Sequence, residues 1–173
     1  MKSVVCTKLG DPKLLEIKEV DIPNPHDDEV LIKVDAAGVN YPDALLVQGK
    51  YQVVVEPPFT PGNEVCGYVE QVGKDVDLKK GMKVIGLPEI GGFSEYVCIN
   101  KNLVIPISDN INSLAGASLP INYGTTYYAL KRRAKATSGE SLLILGASVA
   151  FGTASVQIGK ILGLTTIAAV GSN

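Results

Sequence analysis

Ser141-Leu142-Leu143-Ile144-Leu145 empties straight into Gly146-Ala147-Ser148-Val149-Ala150-Phe151-Gly152. A short, nearly unbroken apolar run that ends at a glycine is a strand buried on both faces, the kind found in parallel sheets. The glycine-bounded stretch is a turn, and it opens a helix that runs to about Leu162. Gly163 ends that helix, and Thr165–Val170 is a second buried strand. Strand, turn, helix and strand make one right-handed βαβ unit. Ser, Thr, Gln157 and Lys160 interrupt the apolar residues between Leu142 and Val170, which favours a buried βαβ unit over a membrane span. A doubly wound nucleotide-binding domain needs two βαβαβ halves, and the sequence from Ser141 onward supplies only the first βαβ.

Upstream of this unit the chain is built from strands and turns. Ser3–Thr7 is a short apolar strand. Leu15-Glu16-Ile17-Lys18-Glu19-Val20 alternates apolar and charged residues, the period of a half-buried strand. Glu29–Val34 alternates again, and further strands are expected at Glu64–Val72, Lys83–Leu87 and Phe93–Ile99. Tyr41–Val47 is a short helix with Pro42 in its first turn and Gly49 past its end. Many short strands punctuated by glycine predict a barrel-like β domain. After Asp109 helical spacing takes over, at Ile111–Leu119 and Asn122–Lys135. The expected fold is therefore mixed, α+β leading into α/β. A β-barrel-like domain spans residues 1–122, and a connecting helix with a partial nucleotide-binding domain spans 123–173.

Composition narrows the partners. The chain has 173 residues, 46% of them hydrophobic, and a net charge of −2. A protein held on nucleic acid by phosphate contacts is normally basic, so no nucleic-acid partner is expected. Cys6, Cys66 and Cys98 are odd in number and far apart. They form neither a disulfide framework nor a zinc-binding CxxC pattern. A reducing compartment, the cytoplasm, is the natural reading, and the apolar part of the N-terminus is too short for a signal peptide. His26, the sole histidine, sits in a polar turn and reads as a solvated loop residue.

Five motifs in a fixed order add a resemblance. They are Gly38-Val39-Asn40-Tyr41-Pro42-Asp43, Gly49-Lys50-Tyr51, Pro58-Phe59-Thr60-Pro61-Gly62-Asn63-Glu64, Tyr123-Gly124-Thr125, and Gly139-Glu140 before the strand. In this order they resemble the medium-chain dehydrogenase/reductase superfamily, and within it the zinc-independent, zeta-crystallin-like quinone oxidoreductases. The resemblance implies a GroES-like domain followed by the start of a Rossmann domain, in a chain cut short within the latter. In zinc-dependent alcohol dehydrogenases of the superfamily a cysteine stands in the place of Asn40 and a histidine in that of Asn63. With asparagine at both, no zinc is expected. The implied activity is hydride transfer from NADPH to a small-molecule quinone or enone, and a homodimer is compatible with the family.

The same resemblance assigns roles. Asn40, with a carboxamide donor, and Tyr51, with a phenol, are the expected catalytic residues. Their simpler readings are a helix cap and loop packing. Asp43 reads as a first-turn carboxylate. Thr125, Gly146, Ala147, Val149, Ala150, Phe151, Gly152 and Ser172 are the expected cofactor-binding positions. Ser172 stands where an NAD-specific site places Asp or Glu, which favours NADP. The family turn usually reads Gly-Ala-x-Gly-Gly-Val-Gly, whereas here Val149 and Ala150 replace the inner glycines and Phe151 replaces valine. If the inner positions require φ > 0, each replacement is strained by about 1–2 kcal/mol, and Phe151 would crowd a helix–strand contact. The alternative expectation is a non-catalytic product of the same ancestry with little or no cofactor binding.

Overall fold

A computed structural model describes residues 1–171 and divides the chain into two compact units, Met1–Ser118 and Leu119–Asn173. Ser172, expected at the NADP-favouring position, lies outside the described residues.

The first unit is built on a five-stranded antiparallel sheet of order β6-β3-β4-β5-β7. Its strands are β3 (Glu29–Ala37), β4 (Val65–Val72), β5 (Lys83–Gly86), β6 (Tyr96–Asn100) and β7 (Val104–Pro106). A separate hairpin pairs β1 (Lys2–Val5) with β2 (Glu16–Glu19). The β-branched residues that favour these strands also make the core: Val30, Ile32, Val65, Val69, Val84, Val97, Ile99 and Val104 pack as one cluster. A second cluster of Cys6, Leu46, Val47 and Phe59 seats helix α1 (Tyr41–Val47), with Tyr51 and Val55 packed against it. A short helix α2 spans Ser113–Gly116.

In the second unit residues 120–133 form a continuous helical segment, α3. It has wide π-type turns at Pro120–Gly124 and Tyr128–Arg133 around one α turn at Thr125–Tyr127. Strand β8 (Ser141–Leu145), helix α4 (Ala150–Ile161) and strand β9 (Thr165–Ala169) follow, and β8 pairs with β9 in parallel. Gly159 lets α4 lie close on this sheet, since a Cβ there would meet Thr166 Cγ2 at 2.7 Å and Leu142 Cδ2 at 3.0 Å.

Some expectations need correction. The alternation at Leu15–Val20 predicts a half-buried strand, yet Ile17 is 75% exposed, in an open apolar groove with Val4, Val34, Val39 and Phe93. The segment Ile111–Leu119 yields only the single turn of α2, and Phe93 precedes β6 rather than joining it. Pro120 starts α3 two residues before the expected Asn122, since a first-turn proline needs no amide partner.

Candidate functional site

Helix α1 starts at Asn40, whose extended backbone (φ −119°, ψ 159°) makes it the cap residue. Asp43 Oδ2 reaches back to accept the Asn40 backbone N–H at 2.7 Å. The Asn40 side-chain nitrogen has other partners. Its Nδ2 donates to Glu64 Oε1 at 2.8 Å and lies 3.4 Å from Asn63 Oδ1. Fold topology explains this meeting. Asn40 follows β3, Glu64 immediately precedes β4, and the two strands pair antiparallel with Ala37 opposite Val65. Gly38 provides the room, because a Cβ there would collide with Glu64 Oε1 and the Ala117 carbonyl oxygen. Glu64 is 1% exposed. Asn63 follows Gly62 (φ +101°), where a Cβ would run into Phe93.

A pocket of ≈ 500 Å³ lies within the first unit. Pro42, Leu46, Val53, Val55 and Ile90 form its apolar wall; Tyr51 and Asn63 bring neutral polar groups, and Asp43 and Glu89 bring carboxyls. Burial holds the Asp43 carboxyl above the ordinary carboxylate range, against the hydrogen bonds it accepts from the Asn40 and Gly62 amides. Tyr51 and Asn63 thus line the pocket, whereas Asn40 does not line it and meets Asn63 through its amide nitrogen. Sequence reasoning used Asn63 only as a marker of missing zinc. Nothing local in Asn63-Glu64 signals its place at the pocket. Among the described residues no group of three or more His, Cys, Asp or Glu is placed to hold a metal ion.

The glycine turn of the second unit has its own geometry. Gly146 carries the positive φ (+68°), while Val149, the cap residue of α4, is extended (φ −111°, ψ 167°). The expected backbone strain at the inner positions is therefore absent, because the left-handed conformation falls on the retained glycine. Phe151 is 44% exposed in the first turn of α4. Gly152 makes the close approach instead: a Cβ there would collide with the Gly146 carbonyl oxygen and Ala147 Cα. Ala147 is buried and its N–H donates to the Ala169 carbonyl at 3.1 Å. The first bond of the α4 ladder runs from Thr153 N–H to the Val149 carbonyl, 2.8 Å. The N–H groups of Ala150, Phe151 and Gly152 stand outside that ladder, as a helix start requires. The Val149 side chain is 64% exposed at this helix end.

Thr125 is exposed on α3. Nearby, Asn122 Oδ1 is buried without a hydrogen-bond partner, and the Tyr123 hydroxyl donates to Gln157 Oε1 at 3.0 Å. His26 is an exposed turn residue.

Residues 26–109 match the alcohol dehydrogenase GroES-like domain. The chain is 35% identical over 175 residues to the quinone oxidoreductase of Mus musculus, covering 99% of this chain and 53% of that protein. The quinone oxidoreductase of Thermus thermophilus, solved also in complex with NADPH, superposes with a TM-score of 0.89 at 35% identity, covering 99% of this chain and 54% of that one. A probable oxidoreductase from Mycobacterium abscessus gives a TM-score of 0.95, also at 35% identity, over 99% and 56% of the two chains. The chain spans about half the length of the relatives it matches.

A GroES-like sheet joined to a glycine-turn βαβ unit defines the class: these are the parts of a medium-chain dehydrogenase/reductase. Over 99% of its length the chain is similar to quinone oxidoreductases of that superfamily.

Proposed function

We propose that this chain carries the acceptor pocket and the first nucleotide-binding element of a cytoplasmic oxidoreductase that reduces a quinone or an activated alkene with NADPH and without zinc. The observation that carries the reading is the pocket of the first unit, in which an apolar wall ends in the neutral polar groups of Tyr51 and Asn63. A flat apolar ring bearing a carbonyl suits such a wall. Reduction builds negative charge on the acceptor oxygen, and a preorganised neutral donor stabilises that charge. The Tyr51 phenol is such a donor. Asp43 and Glu89 at the same pocket disfavour acceptors that carry their own negative charge.

Bound NADPH supplies the hydride. The residues fit a dinucleotide at the level of the backbone. Gly146 turns the chain, Gly152 lets helix meet turn, and the N–H groups of Ala150, Phe151 and Gly152 offer donors for a pyrophosphate at a helix start. Thr125, Ala147, Val149 and Ser172 complete the proposed nucleotide set, and the absence of Asp or Glu at 172 favours NADP over NAD. A paired asparagine at 40 and 63 supports the metal-free reading, because a carboxamide is a poor zinc ligand beside Cys or His. A homodimer is part of the proposal.

The exposed Val149 side chain at the start of α4 favours a second reading, a binding protein with little nucleotide affinity. The two readings separate by titrating NADPH fluorescence with the chain and with the double variant Val149→Gly/Ala150→Gly. The oxidoreductase reading expects tighter binding by the double variant. Absence of NADPH binding in both forms, with quinone binding retained, establishes the second reading.

A further inference from the structure

We propose that Asn63, rather than Asn40, presents the carboxamide donor to the acceptor carbonyl, and that Glu64 and Asn40 set its orientation. The inference rests on the pocket reading given above and names a further catalytic residue within it. A carboxamide has one NH2 group with two donors and one oxygen that only accepts. At Asn40 the NH2 is committed: it donates to the buried Glu64 carboxyl at 2.8 Å and faces Asn63 Oδ1 at 3.4 Å. The contact with a carboxyl oxygen identifies which end of the Asn40 amide is nitrogen. What Asn40 has left is an acceptor, which cannot stabilise an oxyanion.

Asn63 is the complementary case. Its oxygen faces the Asn40 NH2, and Asn63, unlike Asn40, is among the residues that line the pocket, as is Tyr51. Its NH2 is therefore the end directed away from Asn40. The order Glu64, Asn40, Asn63 is a relay of orientation. A buried acid fixes the first amide, and the first amide fixes the second. Glu64 is held in place by its burial and by the bare Gly38 against which its carboxyl lies. Asn40 and Glu64 act as positioning residues.

The test uses the intact chain and two probes of similar shape. Duroquinone has two carbonyls and a fully substituted ring, so it does not add to thiols; durene is its hydrocarbon counterpart. Both are titrated against 15N-labelled protein, and the side-chain NH2 signals of Asn63 and Asn40 are assigned from Asn63→Leu and Asn40→Ala. Duroquinone is expected to shift the Asn63 NH2 signals and durene to leave them unmoved. Asn63→Leu is expected to weaken duroquinone binding roughly three- to tenfold, the range of one net hydrogen bond, with durene unchanged. In Asn40→Ala the Asn63 signals are expected to lose most of their response to duroquinone while durene binding stays. A shift of the Asn40 signals with Asn63 unmoved overturns the inference. So does a Tyr51→Phe variant that loses quinone preference while Asn63→Leu keeps it, an outcome that leaves the pocket reading standing. Failure of duroquinone to bind at all removes the pocket reading and this inference together.

Discussion

Asp43 Oδ2 lies 2.7 Å from the backbone nitrogen of Asn40, so a carboxyl that is 4% exposed closes the first turn of α1. Burial raises its pKa above the ordinary 3.8, outweighing the two amide hydrogen bonds that lower it. A carboxyl with a raised folded pKa holds its proton more tightly in the folded state. Its stabilising contribution is present below the unfolded pKa and is lost as pH rises through the folded one. Asp43→Asn removes the ionisation and keeps an acceptor oxygen. The stability of the native protein relative to this variant should therefore fall as pH rises above about 4 and then level off. Chemical denaturation of both proteins between pH 3 and pH 8 measures this, and a relative stability that rises over the same range would contradict it.

Helix α4 starts without a side-chain cap, since Val149 has none to offer. Val149→Ser should stabilise the protein by about 1 kcal/mol, because the serine hydroxyl can accept an orphan amide and an exposed valine gives up little burial. Urea midpoints for the two proteins settle the point; an unchanged or lower midpoint would show that the valine packs in a way its exposure does not suggest.

Gly152 and Gly146 differ in what a methyl group would meet. At Gly152 it would collide with backbone atoms, whereas at Gly146 it would find only Val149 Cγ2 at 3.8 Å and a φ of +68°. Gly152→Ala should cost about 1–3 kcal/mol or more through overpacking. Gly146→Ala should cost about 1–2 kcal/mol through backbone strain alone. Thermal unfolding of the pair should rank Gly152→Ala as the less stable.

One face of the β8–β9 sheet is bare. Leu143 is 60% exposed, Leu145 77% and Ile167 52%, whereas Ile144 on the α4 side is buried. Adjacent apolar side chains on an open two-stranded sheet favour association. Sedimentation velocity should show concentration-dependent self-association, reduced in Leu143→Lys. A single monomer boundary at every concentration would rule this out.

Cys98 is half-buried beside Glu29, and burial first, then the neighbouring charge, pushes its thiol up to about 11. At pH 8 the reactive thiolate is then on the order of 0.1% of the population. Cys6 and Cys66 are buried and raised as well. A disulfide exchange reagent should modify the native protein slowly at pH 8 and release three thiols after denaturation. Rapid modification of the native form would contradict the burial.

The legible parts of the fold were those specified by local pattern. Ser141–Leu145 and Tyr41–Val47 match the observed elements at both ends, one through a nearly unbroken apolar run and the other through Pro42 and the glycine beyond it, but the expected burial of Ser141–Leu145 on both faces is not observed, since Leu143 and Leu145 are exposed. Strand β7 was missed because Val104-Ile105-Pro106 carries no alternation of its own. It exists through pairing with β5, some twenty residues earlier in the chain. The exposure of Ile17 was equally illegible, since period two names a face without saying whether anything packs on it. At the site, the residue types at 40, 51 and 63 could be read and their hydrogen bonds could not. Which end of an amide faces a cavity depends on Glu64, a neighbour brought in by the pairing of β3 with β4.

Every residue lining the pocket of the first unit falls between Pro42 and Ile90, one uninterrupted ribbon of chain. None of the glycine-turn positions lies on it. A chimera that exchanges only this ribbon with a relative would carry a whole pocket wall across at once. The shape of this pocket could thus drift in evolution independently of the glycine turn.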